Sequence, residues 1–271
     1  MMLKTILYTL LLSLILYGCS HTKDQFRDFT ANTAKQDSII TVYTTNCAHN
    51  YNYNTHMNEW QNCLDEGLKQ DSTIAYLWQQ KAMPYFKARK YEVGMQYLDQ
   101  AVLYNPKRYQ PYRAFIKCVF LKTYQDAIAD FTDCKEKWGD NFEMDHTYSF
   151  YIGLSQLQLN QFDKAVSSFN EAINVQSKFF KDTHHIDLFY LGITKMEQLK
   201  FDEAISLFNQ ALMQYPEFSE AMYYKALCLQ KQGKSADTYL PLYEEAIKWH
   251  KKGYSINEAN AVYELYPYQL N

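Results

Sequence analysis

The residue types that can do chemistry are present, but not at the spacings chemistry needs. His184 and His185 are adjacent, whereas two ligands on one helix face stand three or four residues apart. The pair reads as an exposed linker feature. His146 and His250 are isolated, and His49 and His56 lie in a polar segment. Glu244–Glu245 and Asp65–Glu66 are carboxylate pairs, yet neighbours on a helix point in different directions, so each reads as a solvated face. Trp138–Gly139–Asp140–Asn141 reads as a turn after a helix rather than a cation loop. No H-E-x-x-H, G-x-S-x-G, Walker loop or G-x-G-x-x-G occurs. No enzymatic activity and no metal are expected.

What the chain does have is a pattern that returns about every 33 to 39 residues. Gly153, Ala165, Phe169 and Ala172 reappear as Gly192, Ala204, Phe208 and Ala211, all displaced by 39. Backwards the register continues through Ala127, Phe131 and Cys134, then Gly94, Leu98 and Ala101, then Trp60, Leu64 and Gly67. Forwards it reaches Ala246. Residues four, then three apart fall on one helix face. A fixed spacing of small and large apolar residues that repeats in this way is the mark of stacked helical hairpins. Small residues on the first helices (Ala82, Gly153, Gly192, Ala226) let the second helices come close. Large ones (Trp78, Phe131, Phe169, Phe208) fill the gaps.

The arrangement resembles the tetratricopeptide repeat (TPR). Trp78, Ala82, Tyr85, Tyr91, Gly94, Leu98, Ala101 and Pro106 fill its slots in order, and Leu191, Gly192, Phe201, Ala204, Phe208, Ala211 and Pro216 do so again. The resemblance covers roughly 41–252 and is weak at both ends. It implies an all-α, right-handed TPR-like α-solenoid of about six helical hairpins plus a C-terminal capping helix. That last helix is expected over Glu258–Leu265, capped by Asn257, with Ala259 and Val262 inward; the tail could instead fold back into the groove. In TPR stacks the first helices line a concave groove. The residues that the resemblance places in it are Tyr112, Phe150, Phe189 and Tyr223, with Ile116, Leu154 and Ile193 further along and Arg113 as the one well-placed cation. Such a stripe is a candidate surface for a protein or peptide partner. Its alternative is that these side chains pack against the neighbouring hairpin.

The N-terminus, MMLKTILYTLLLSLILYGC, has a lysine before an apolar run, the pattern of a secretory signal. Leu16–Tyr17–Gly18–Cys19 resembles the lipobox of bacterial lipoproteins. The resemblance implies cleavage before Cys19 and acylation of that residue, which would anchor the chain in a membrane. A covalent lipid on Cys19 is the one non-protein group expected. Ser20 is not aspartate, which points to the outer membrane; the leaflet stays open.

Five cysteines remain besides Cys19. Cys118, Cys134 and Cys228 read as small core residues. Cys47 and Cys63 fall on the two helices of one proposed hairpin, and whether they form a disulfide stays open. A net charge of −3 gives no broad basic field for nucleic acid. The chain thus divides into a lipoprotein signal peptide (1–18), a flexible lipid-proximal tether (19–40), TPR-like repeats over 41–252 and the capping helix (253–271). The repeats run approximately 41–74, 75–107, 108–145, 146–184, 185–218 and 219–252. The expected function is a lipid-anchored cell-envelope interaction scaffold, holding a partner chain in its groove within an outer-membrane assembly or secretion machine. The alternative is a surface-displayed adhesion or ligand-capture lipoprotein. Oligomeric state is not readable.

Overall fold

The computed structural model describes residues 32–271. The signal peptide and Cys19 lie outside the described residues, and so does most of the expected tether. Twelve α-helices pair into six hairpins among the described residues. They are α1 (Ala34–Ile40) with α2 (Met57–Gln70), α3 (Ala75–Lys87) with α4 (Tyr91–Tyr104), and α5 (Pro106–Ile116) with α6 (Tyr124–Trp138). The series continues with α7 (Tyr148–Gln158) and α8 (Phe162–Gln176), α9 (His185–Glu197) and α10 (Phe201–Gln214), and α11 (Ser219–Lys231) and α12 (Ala236–Lys251). Each helix packs chiefly on its neighbours in sequence, the contact pattern of a solenoid. None of the described helices is long and apolar enough to cross a membrane.

Aromatic rings set the spacing within the hairpins. Phe131, Phe169 and Phe208 are fully buried on the second helices. A Cβ on Gly192 would meet the Phe208 ring at 2.7 Å, and one on Gly153 would meet the Phe169 ring at 3.1 Å. Gly94 plays the mirror role, with the Phe86 ring of the first helix 2.6 Å from its absent Cβ. The small positions therefore admit a ring as well as a close helix. Trp78 differs from the expectation: it is only half-buried, and its indole donates to the Ser72 carbonyl. Leu77 fills the core beside it.

The turn inside each of hairpins two to six contains one residue in the left-handed region: Arg89, Lys122, Asn160, Leu199 and Gly233, at φ of 57 to 74°. In four of them the next N–H donates to the carbonyl five residues back, as from Lys200 to Lys195 at 2.9 Å. This is the Schellman closure of a helix C-terminus, which glycine fits best. Only Gly233 is glycine. Three of these residues, Arg89, Lys122 and Leu199, hold a conformation that costs an L side chain about 1 kcal/mol.

The first hairpin starts earlier than expected. Ala34–Ile40, assigned above to the tether, is helical and opens on a Thr33–Gln36 capping box. It continues as a π-turn over Thr41–Thr45. Cys47 and Cys63 form a disulfide with Cα atoms 5.8 Å apart. It closes a loop of 16 residues, worth about 3 kcal/mol in the chain-entropy account. This compensates for a small cluster around Trp60, Leu64, Ile74 and Leu77.

The closing helix does not form. Residues 253–271 make turns, with Ala261 donating to Glu258 and Tyr263 to Asn260. The reason is visible in the side chains: Val262, expected inward, is 80% exposed, while Ile256, Glu258 and Tyr266 are buried. The tail is shaped by what it touches, not by a helical stripe.

Two substitutions test this account. Gly192→Ala should cost about 1–3 kcal/mol by driving a methyl into the Phe208 ring, read as a lowered denaturant midpoint. Leu199→Gly should raise stability by about 0.5–1 kcal/mol in the same measurement, because Leu199 is 74% exposed and gives up left-handed strain rather than packing.

Candidate functional site

The tail runs along the row of first helices and returns. From the end of α12, Ser255 donates to Glu220 at the start of α11. Asn257 meets His185 at 2.9 Å, and Glu258 meets His146 at 2.9 Å. The chain then reaches the second hairpin. There the Glu264 carboxylate accepts a hydrogen bond from the Tyr91 hydroxyl and pairs with Arg89 at 3.4 Å, and Lys122, in the turn of the third hairpin, pairs with it at 3.7 Å. Arg89 also donates to the Tyr263 carbonyl at 3.1 Å. The Lys87 ammonium sits 5.0 Å from the Tyr263 ring centroid.

The return leg passes back over the later hairpins. Tyr190 donates its hydroxyl to the Pro267 carbonyl at 2.9 Å, Tyr268 donates to Glu197 at 2.9 Å, and the Leu270 N–H donates to Glu220 at 3.2 Å. Tyr268 stacks edge-on to Tyr224, and Tyr266 is buried. Every hairpin from the second to the sixth thus contributes a contact.

The middle of this site is a buried charge cluster. A two-stranded ribbon, β1 (Phe142–Glu143) and β2 (His146–Thr147), follows the turn at Gly139 and delivers His146. Its ring stacks on Phe150 at 3.8 Å. Nδ1 meets Asp187 of α9 at 3.0 Å, Nε2 meets Glu258 of the tail, and the Gln176 amide donates to the other Asp187 oxygen at 2.9 Å. Burial alone would lower the His146 pKa; hydrogen bonds to Asp187 and Glu258 and their charges outweigh it and raise it to about 10. Burial would raise Glu258, but the same hydrogen bond holds it below the usual range. His184 is pushed down to about 4 by burial and by the neighbouring charge of His146.

His146, His184 and Asp187 bring one ligand atom each within 4.8 Å of one another, so the trio has the donors to hold a cation. Both His146 nitrogens, however, already face carboxylates, and the ring serves as an imidazolium clamp between α9 and the tail. The reading of His184–His185 as an exposed linker pair is corrected here. His184 caps α9 and lies against His146, and His185 packs on Tyr215 and Phe218.

The residues expected along the groove are placed as follows. Phe150, Leu154, Phe189 and Ile193 are fully buried, and Tyr112 and Ile116 nearly so. Phe150 lies against Phe169, and Phe189 against Phe208 and Phe218, so both rings pack within and between hairpins. Tyr223, half-buried, lies against Tyr243 of its own hairpin. Arg113 is not a free groove cation. It forks onto Asp130 at 2.8–2.9 Å and reaches Asp99 at 2.9 Å, both on second helices. The side chains that meet the tail stand one position further on: Tyr190 and Tyr224, flanked by His146, Glu197 and Glu220. Two carboxylates inside apolar first helices, Asp187 and Glu220, were the sequence signal for this, since a buried charge requires a partner. The remaining thiols, Cys118, Cys134 and Cys228, are buried and pushed up to about 12 by that burial, which leaves them unreactive.

The comparisons agree with this architecture. Residues 148–176 and 191–251 match family models described as tetratricopeptide repeat. Among solved structures, a tetratricopeptide repeat protein from Parabacteroides merdae superimposes with a TM-score of 0.60 at 14% identity, covering 84% of this chain and 83% of that one. PilW, a type IV pilus biogenesis factor, gives 0.58 at 13%, covering 82% and 93%. YrrB, a TPR protein with an unusual peptide-binding site, gives 0.51 at 15%, covering 69% and 92%. No curated protein matches. The right-handed α-solenoid of tetratricopeptide type is the fold of this chain.

The clamp has a pH signature. The imidazolium is the bonded form of His146, so its contribution is complete below the ordinary histidine value of 6.5, shrinks above it and is gone beyond about 10. His146→Gln should therefore cost about 3 kcal/mol in mildly acidic solution and little in strong alkali. Denaturant midpoints of both proteins across pH check this; a gap independent of pH would assign the ring to packing alone.

Proposed function

We propose that this tetratricopeptide-repeat protein is a lipid-anchored, non-enzymatic scaffold of the bacterial envelope that holds a segment of another protein in its first-helix groove. One observation supports the reading: the row of first helices already holds a polypeptide, the chain's own tail, through side-chain and backbone hydrogen bonds together. A surface that binds main chain as well as side chains is suited to another chain. YrrB and PilW, similar in fold alone, lend an analogy of architecture to peptide binding and to envelope assembly. The anchor rests on Cys19 and the lipobox-like residues before it, and the outer membrane is its proposed site.

The two halves separate experimentally. A photo-crosslinking residue at Val262, exposed on the tail, should capture a discrete partner in living cells, whereas one at Met213, exposed on second helix α10, should not. Equal capture from both, or none, would count against a groove-centred role. Cys19→Ser should move the protein from the membrane to the soluble fraction; unchanged membrane association would refute the anchor.

A further inference from the structure

The tail adds Ile256 and Tyr266 to the hydrophobic core, yet most of it is held as a ligand is, by separate side-chain and backbone contacts. It has no regular secondary structure, and Val262 and Leu265 remain exposed at 80% and 46%. Its fixed points are discrete. On the return leg they are the Glu264 carboxylate in a cup of Arg89, Lys122 and Tyr91, the buried Tyr266 ring, the Pro267 carbonyl on Tyr190, Tyr268 on Glu197, and the Leu270 N–H on Glu220. The hairpins beneath also pack on one another, through Phe131 on Tyr151 and Phe169 on Tyr190, and within themselves, as Phe208 does on Phe189. With the return leg lifted, Glu220 would keep Ser219 and Ser255 as donors but lose the Leu270 N–H. An open groove of this kind presents a basic cup at one end and, at the other, a carboxylate with room for one N–H donor.

We infer that the return leg is a tethered, exchangeable occupant, and that the partner of this groove is an extended segment of the same chemistry: an acidic residue followed by an aromatic–proline–aromatic run. The inference rests on the scaffold reading and supplies its partner class. The partner's carboxylate replaces Glu264 in the cup, its aromatic rings replace Tyr266 and Tyr268, and its main chain takes up Tyr190 and Glu220. Because the tail is attached, it competes at an effective concentration in the millimolar range. A free segment of equal intrinsic affinity is therefore largely excluded until the tail is weakened or a second contact adds to it.

The test uses the intact chain and a fluorescent peptide copied from residues 263–271. Fluorescence anisotropy should show weak binding to the native protein and at least tenfold tighter binding to Glu264→Gln and to Tyr268→Phe, with a scrambled peptide silent. Circular dichroism verifies that both variants stay folded, and hydrogen exchange should show amides 263–270 opening well before those of α9 and α10. The inference is overturned by tail amides as protected as the core in all three proteins, by no saturable binding to any of them, or by equal binding of the scramble. It is equally overturned if the weakened variants dimerise through exchanged tails instead of binding peptide. Failure here together with capture from Val262 would remove the partner chemistry and leave the scaffold reading standing; loss of that capture would remove the scaffold reading itself.

Discussion

A helical hairpin cannot hide its apolar face alone, and every other feature of this molecule answers to that constraint. Within a hairpin a ring lies against a missing side chain, as Phe208 does over Gly192; between neighbouring hairpins the answer is ring on ring, with Phe131 stacked on Tyr151 and Phe169 on Tyr190. At the N-terminal end, where no earlier hairpin stands among the described residues, a disulfide and two hydrogen bonds, from Trp60 to the Gln80 carbonyl and from Gln61 to the Lys81 carbonyl, reinforce a small cluster. Along the first helices the answer is the chain's own last residues.

That third solution mixes polarity in a way the hairpin contacts do not. The rings of Tyr190 and Tyr224 call for apolar cover, while Asp187, Glu220 and His146 lie within the same strip. A plain hydrophobic lid would take Glu258 from His146 and leave Glu220 only Ser219 among its donors, and a buried charge stripped of a partner costs several kcal/mol. The tail combines Ile256 and Tyr266 with Glu258, Ser255 and a backbone N–H, so it matches the strip type for type.

The repeat register could be read from the chain because it rests on local periodicity, and Phe131, Phe169, Phe208 and their small partners lie where that periodicity put them. The groove was harder for a physical reason. Helical spacing says which residues share a face but not what covers that face, so Phe150 and Phe189 were assigned to a groove although they pack on Phe169 and Phe208. Turns were hidden because their left-handed residues are mostly not glycine: Arg89, Lys122 and Leu199 look like ordinary helix residues. The tail misled because Asn257, Ala259 and Val262 imitate a capped amphipathic helix, while its conformation is set by polar groups far away in sequence, such as His185, 72 positions from Asn257, and Arg89, 174 positions from Tyr263. Cys19 and the segment around it rest on sequence alone.

Solenoids ordinarily assemble neighbour by neighbour, and any stretch of the growing chain can settle as soon as the next hairpin exists. Here Arg89 waits for the carbonyl of a residue 174 positions later, and Glu220 waits for the N–H of Leu270, 50 positions later. A stack made almost wholly of short-range contacts is thus finished by some of the longest-range ones the molecule contains, with loop closure as their entropic cost. The strip of tyrosines and carboxylates therefore has its cover only once residues 255–270 are at hand, long after the hairpins beneath have found their neighbours in sequence.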